Sequence, residues 1–504
     1  MVLGEKKILL SELAGADCWG NKINDRYVNA VSSISSECAD GSVFVCIKGF
    51  RNDGHDFVRE AYERGCRVFV CERPVTLPDD AVVMMSLDTR ASLARLAAAL
   101  YRYPSKELTL IGVTGTKGKT TVAHYIYEIL KASGRPAALI GTDGAYIGTD
   151  GAYIGTEHYT TENTTPDSPE LNRLMREAVN TGCRYAVMEV SSQAVMQHRV
   201  LGMHYKYVVF TNLSPDHISK AEHKNIEEYR DCKAKVMANA DICVINADDE
   251  NSGFMMKSAV GRTLTVSAVP GADYVFGKIR ACRDNENVST DFVLSTPRTK
   301  NSIQLSVRQP GLYSAYNASL AFAVCDDEGV DCITAAKTLA GVKVPGRFEI
   351  VPLGNDMTAI IDYAHNGASF DALLRPLRQI AIRNGGRLMC LFGSVGGKAE
   401  MRRAELADAA EKYCDYVFLT SDNPDREDPE KIIADIEKGF SPDFTSYVKI
   451  PDRSDAIYTA VKMLRSGDIL VLAGKGNEDF QLINGVRVPF SEKNILNDAV
   501  KGEV

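Results

Sequence analysis

The sequence predicts an α/β protein of three domains built on largely parallel sheets. Three observations carry that expectation. Apolar, β-branched runs such as SVFVCI, YAVMEV, YKYVVFTN and DILVLAG alternate with longer helical patterns through most of the 504 residues, as strands joined by crossover helices do. Most of these strands end in polar, Gly-, Asp- or Asn-rich tips, the end of a parallel sheet where open α/β folds gather ligands. Finally, GVTGTKGKTT (112–121) lies between the strand-like LTLI and the helix-like AHYIYEILKA, a junction at which backbone amides point toward an anion.

The elements follow in order. The first domain, 1–105, has the short strands SVFVCI and CRVFVC and a helix at 56–64, and ends at the YRYPSKE linker. The central domain, 106–344, opens on the glycine-rich loop and continues through YAVMEV, YKYVVFTN and DICVIN. It closes before VPGRFEIV, where Pro345 and Gly346 punctuate the chain. The C-terminal domain, 345–504, runs through AIIDYAH, RLMCLFG, YVFLTSDNP and DILVLAGKG and reads as Rossmann-like. A tandem repeat, GTDGAYI at 141–147 and again at 148–154, places two Asp-Gly turn signals in one hairpin or loop, because two seven-residue copies cannot stack into a solenoid. Deleting one copy is expected to leave folding intact.

Composition excludes several function classes. A net charge of −8 argues against an extended nucleic-acid surface, which needs clustered Lys and Arg. The opening MVLGEKKILLSEL lacks a signal peptide's apolar region, and no stretch approaches a membrane span, so a soluble cytoplasmic protein is expected. The 13 cysteines include no C-x-x-C pair and several lie in strand-like runs; buried reduced thiols are expected in place of disulfides or zinc.

Chemistry concentrates at the loop. The general pattern G-x-x-x-x-G-K-[ST] wants glycine where Val113 stands. Gly115 and Gly118 nevertheless supply backbone freedom, Lys119 a cation for β- and γ-phosphates, and Thr120 a hydroxyl for Mg²⁺. Here the sequence resembles the Mur ligase family, whose loop reads G-[IV]-T-G-T-x-G-K-T-T and thereby accounts for Val113. MEVSSQAVMQHRV, FTNLSPDHI, EEYRDCKAK, NADDEN, YNASLA, VPGRFE, DYAH, TSDNPDREDP and AGKGNE fall in the family's order. The resemblance covers essentially the whole chain and is strongest to the branch that adds the third residue of the peptidoglycan stem peptide, whose UDP-binding domain is similar to GSVFVCIKGFRNDGHDFV.

The resemblance implies an ATP-dependent amide ligase working through an acyl phosphate, with two Mg²⁺ ions and a UDP-N-acetylmuramoyl dipeptide as acceptor. It implies that Thr116 and Thr121 join Gly115, Gly118, Lys119 and Thr120 around ATP, and that Glu189 and Thr120 hold one metal. His217 becomes a ligand of the second, and Lys233 the lysine that these enzymes carbamoylate; the bland readings are a strand-end acid, a capping histidine and a helix-face lysine. His223 stands six residues past His217 and is equally a surface histidine or a site residue. Asn317 and His365 would face the base, Asp362 the ribose and Arg347 the phosphates, with ATP lying between domains that close during turnover.

Thr164, Thr165, Ser191, Gln197 and Arg199 are implied for the UDP substrate. Ser35 stands where the family has the serine of D-S-R, although here the stretch reads Ile34, Ser35, Ser36. For the incoming amino acid the resemblance points to Asp422, Asn423, Asp425 and Glu478. Members taking meso-diaminopimelate read D-N-P-R, whereas this chain has Asp425 at the fourth position. An acid there repels a distal carboxylate and attracts an ammonium, so L-lysine is expected to be favoured. The alternatives are the same ligase specific for meso-diaminopimelate and another ligase of the superfamily, such as folylpolyglutamate synthetase. A monomer is expected.

Overall fold

The computed structural model describes residues 8–13, 26–49, 52–148, 157–161, 163–215, 223–284, 287–299, 301–397 and 400–501. The chain divides into two compact units, one of residues 1–275 with 320–335 and the other of 276–319 with 336–504.

The first unit begins with a four-stranded parallel sheet, Ala30–Ser32, Ser42–Val45, Val68–Cys71 and Val82–Met85, paired in chain order. Ser42–Val45 and Val68–Cys71 are buried along their whole length, which explains their unbroken apolar runs: a parallel strand covered on both faces has no polar side. Helix Thr89–Leu100 starts where the Asp88 side chain accepts the Ala91 N–H. The expected helix at 56–64 is Val58–Glu63, preceded by a 3-10 turn at Gly54–Phe57.

A larger sheet follows. Thr109–Thr114 lies at its centre, with Tyr185–Glu189 on one side and Tyr205–Phe210 on the other, all parallel. Ala137–Gly141 continues one flank, and Ala240–Asn246 and Arg262–Ser267 the other. The first copy of the repeat turns back as Gly144–Ile147, antiparallel to Ala137–Gly141. The second copy lies, from residue 149 onward, outside the described residues. Leu110, Met188, Val208 and Ile245 sit in one apolar cluster under this sheet, and the polar strand ends are left to gather at one edge.

The second unit carries a six-stranded sheet ordered Glu349–Gly354, Met357–Asp362, Ile469–Ala473, Leu388–Phe392, Tyr416–Leu419 and Tyr447–Lys449. The first pair is antiparallel and the others parallel. Apolar clusters cover both faces: Leu377, Leu406 and Ile436 on one, Ile457, Ala460 and Leu496 on the other. A hairpin of Phe480–Ile483 and Val486–Pro489 follows the last parallel strand. The antiparallel strands Asn287–Ser295 and Ile303–Val307 were not anticipated, because their polar alternation resembles a loop more than a buried run.

Candidate active site

The loop after Thr109–Thr114 is shaped by its glycines. Gly115 has φ +148°, and a Cβ there would stand 1.9 Å from Thr211 Oγ1; Gly118, at φ 85°, caps helix Lys119–Ala132 in the left-handed region. Val113 is fully buried in the strand, so the turn begins two residues later than in the general pattern. Asn212 clamps the loop from the neighbouring strand end: its carbonyl accepts the Thr116 N–H (2.8 Å), its Oδ1 accepts the Lys117 N–H (3.0 Å), and its Nδ2 donates to Lys117 O (3.0 Å).

Two lysines converge on one carbonyl. Lys119 Nζ donates to Gly115 O (3.0 Å) and Thr116 O (3.1 Å), and Lys233 Nζ donates to the same Gly115 O at 2.8 Å. Lys233 is 1% exposed, on helix Ile226–Met237, with its ammonium 4.4 Å over the Tyr229 ring. Tyr229 in turn meets Thr116 Oγ1 through its hydroxyl at 3.1 Å. Lys233 is therefore not a solvated helix-face lysine.

Glu189 lies at the end of Tyr185–Glu189 and is buried. It accepts from Thr120 Oγ1 (3.0 Å), Thr142 N (2.8 Å) and Thr142 Oγ1 (3.3 Å), all uncharged donors. A buried carboxylate beside a loop hydroxyl, with no cation among these partners, is a donor set suited to a hard divalent ion. Thr142 was not singled out from sequence; it belongs to the repeat, whose first copy thus reaches the site. Thr121 is buried in the first helical turn.

The residues assigned to the UDP substrate fall in one neighbourhood with different tasks. Thr164 Oγ1 accepts from Thr142 Oγ1 (3.1 Å). Thr165 is fully buried, donates to Glu189 O (2.8 Å) and accepts the Ser191 N–H (3.0 Å), so its hydroxyl fixes the strand end and does not face a ligand. Ser191 caps helix Ser192–Met196 through the Ala194 N–H. Arg199 donates to Thr165 O (2.7 Å) and to Gln197 Oε1 (2.8 Å). Ser35, in a 3-10 turn, donates to Glu60 Oε2 (2.9 Å). His223 is buried, not a surface residue, with Nε2 2.8 Å from Ser192 Oγ. His217 lies outside the described residues.

In the second unit, Asp362 accepts the Phe348 N–H and the Ala364 N–H, each at 2.8 Å, which fixes the backbone on both sides of it. Arg347 sits 4.5 Å over the Tyr363 ring, His365 Nδ1 donates to Tyr363 O (2.7 Å), and Asn317 is half-buried on helix Leu312–Asp327. Tyr363, missed from sequence, donates its hydroxyl to Glu478 Oε1 (3.1 Å), and burial pushes its pKa up. Glu478 Oε2 also accepts from Asn423 Nδ2 (2.8 Å) and from Lys475 Nζ (3.0 Å). Asp422 is buried beside them, and that burial raises its carboxyl above the usual range.

Asp425 behaves differently. At φ 51° it lies in the left-handed region. Its Oδ1 accepts the Gly485 N–H (2.8 Å), and its backbone pairs with Leu482 O (2.8 Å) and Asn484 N (2.7 Å). One oxygen of the carboxylate is used by the turn of the 480–489 hairpin.

Among the described residues one buried cluster has metal-ligating types, Cys46, His55 and Cys71. Both His55 nitrogens are engaged: Nδ1 donates to Asp53 Oδ1 (2.6 Å) and Nε2 accepts the Glu72 N–H (3.0 Å). The cluster is core packing. No disulfide joins the described cysteines, and all but Cys282 and Cys332 are buried.

Comparison with known proteins agrees with this geometry. Sequence profiles described as Mur ligase family, catalytic domain, as Mur ligase middle domain and as Mur ligase, glutamate ligase domain match residues 27–101, 113–325 and 346–476. The UDP-N-acetylmuramoyl-L-alanyl-D-glutamate-2,6-diaminopimelate ligase of Geobacillus thermodenitrificans is 37% identical over 503 residues, 98% of each chain.

The chain belongs to the Mur ligase family.

As a Mur ligase it is an ATP-dependent, ADP-forming ligase of peptidoglycan synthesis. A solved structure of a UDP-N-acetylmuramoyl-L-alanyl-D-glutamate-2,6-diaminopimelate ligase superposes with a TM-score of 0.66 at 25% identity, over 99% of both chains. A Mycobacterium tuberculosis folylpolyglutamate synthase complexed with ADP and AMPPCP shares the fold with a TM-score of 0.59 at 18% identity, over 77% of this Mur ligase and 92% of that chain. The preference for L-lysine drawn from Asp425 finds no support in these names, and the hairpin turn supplies the physical reason. Among the described residues of this Mur ligase no helix is long and apolar enough to cross a membrane.

Proposed function

We propose that this Mur ligase joins meso-2,6-diaminopimelate to UDP-N-acetylmuramoyl-L-alanyl-D-glutamate, forming an amide, ADP and phosphate in the cytoplasm. The observation that carries this reading is likeness over 98% of both chains to a ligase of that name. Joining an amine to a carboxylate in water needs an activated acyl group, and transfer of the γ-phosphate to the acceptor carboxylate provides one. Two anions must approach each other in that step, so cations have to be fixed beforehand.

Lys119 would turn from its loop carbonyls to the triphosphate. Thr120 and Glu189 would hold a magnesium ion, which screens phosphate charge as the carboxylate approaches. Lys233, buried against Gly115 O, is the position for a carbamate, which would exchange an ammonium for a metal-binding anion; His217 keeps the second-metal role that the family implies. Asp422, Asn423 and Glu478 would receive the amino group of the incoming residue. Arg426 is exposed beside the hairpin turn, its Nη2 3.9 Å from where a Cβ on Gly485 would lie; it is the guanidinium suited to a distal carboxylate.

The test is phosphate release with the UDP-muramoyl dipeptide, ATP and a panel of amino acids. Diaminopimelate is expected to give the highest kcat/KM. Faster turnover with L-lysine would overturn the choice of amino acid, and no ADP with any amine would overturn the ligase reading.

A further inference from the structure

We propose that Lys475 is the positioning residue of the amino-acid site: its buried ammonium holds Glu478 and Asn423 in the arrangement that receives the incoming amino group. The inference rests on the ligase reading above and assigns a role to a residue outside the sequence-derived site.

Lys475 is fully buried, and a buried lysine persists only where acceptors compensate its charge. It has three. Nζ donates to Glu478 Oε2 (3.0 Å) and to Asn423 Oδ1 (3.1 Å), and lies 3.7 Å from Asp422 Oδ1. Both hydrogen bonds of the ammonium go to side chains of the cluster and Asp422 stands against it as an ion pair, so Lys475 acts through its neighbours. Its bond to Asn423 Oδ1, shared with the Leu482 N–H (3.0 Å), decides which way the amide faces. That orientation directs Asn423 Nδ2 at Glu478 Oε2. With the Tyr363 hydroxyl on Oε1, the Glu478 carboxylate is fixed from both sides.

The charge count supports an ammonium ligand. Two carboxyl groups, Asp422 and Glu478, are set against the single ammonium of Lys475. The nearby buried pair Arg453–Glu492 (2.7 Å) is balanced on its own, and Arg453 spends its other donors on Ser421 O (3.0 Å) and Ala473 O (2.9 Å). Those carbonyls precede Asp422 and Gly474, so the pair fixes the strand ends and leaves the surplus negative charge in place. A neutral residue at 475 would leave the buried Asp422 carboxyl and the half-buried Glu478 carboxylate without their shared cation, and Glu478 would turn away.

The experiment separates activation from amine capture. Hydroxylamine attacks the acyl phosphate, displacing phosphate and forming a hydroxamate, without using the amino-acid site. With ATP and the UDP-muramoyl dipeptide, Lys475→Met and Lys475→Gln are expected to keep hydroxamate formation and the KM for ATP. The KM for the amino acid is expected to rise by about tenfold or more. An unchanged amino-acid KM in either variant would overturn the proposal. Loss of hydroxamate formation in both would also overturn it, by making Lys475 a residue of the fold and not of one subsite. No hydroxamate from the unsubstituted chain would overturn the ligase reading itself, and this inference with it.

Discussion

The phosphate loop and the Asp422–Lys475–Glu478 cluster solve opposite electrostatic problems. At the loop, Lys119 and Lys233 both give protons to the backbone carbonyl of Gly115, so two ammonium groups are gathered at one point of the backbone. In the cluster, one lysine is surrounded by two carboxylates and an amide, so the surplus is negative and suits a cation. A charge locked among counter-ions organises its neighbours and stays put. The two regions show one residue type among backbone carbonyls in one setting and among carboxyl groups in another.

The largest effect that would test this contrast is at the loop. Lys119→Ala is expected to lower kcat by about 10²–10³-fold, with little change in melting temperature; a drop in stability matching the drop in turnover would show that Lys119 is a residue of the fold. ADP release and a thermal melt measure both.

A smaller effect concerns the segment carrying Asn423. Glu427 follows it and accepts from Arg403 Nη2 (2.7 Å) and the Gly397 N–H (2.8 Å), and these bonds, Arg403 first, pull its carboxyl from 4.5 down to about 2. A depressed folded-state pKa contributes stability above the unfolded value and loses it as pH falls. The unfolding free energy from urea titrations is therefore expected to fall between pH 4.5 and about 2, by about 1–2 kcal/mol from this group. Arg403→Met is expected to flatten that part of the slope; an unchanged slope would show that Glu427 does not anchor the segment.

The smallest expected effect is the most discriminating. Asp425→Asn keeps a residue that tolerates a left-handed backbone and accepts the same N–H. The ratio of kcat/KM for diaminopimelate to that for L-lysine is expected to stay the same. A shift of about tenfold or more, as a charge facing the substrate would give, would return Asp425 to the binding site.

These residues also mark how far the sequence was legible. The loop could be read because glycine spacing and a strand-to-helix junction are local properties, and Gly115, Gly118, Lys119 and Thr120 stand where the pattern puts them. The L-lysine preference drawn from Asp425 took no account of a turn sixty residues later, because no local pattern announces that one oxygen of a carboxylate is already engaged. Lys475 was passed over because its importance comes from complete burial among Asp422, Asn423 and Glu478, which only the fold assembles. Thr142 lay hidden in a repeat that read as a turn signal, although its amide and hydroxyl both reach Glu189.

The seclusion of the thiols has a practical use. A maleimide pulse on the folded chain meets only Cys282 and Cys332 with any ease among the described cysteines. Label arriving at Cys46, Cys243 or Cys390 would time the opening of the N-terminal sheet, the loop-bearing sheet or the C-terminal sheet. The chain carries its own clock for each layer, and nucleotide or amino acid added before the pulse would show which of the three it slows.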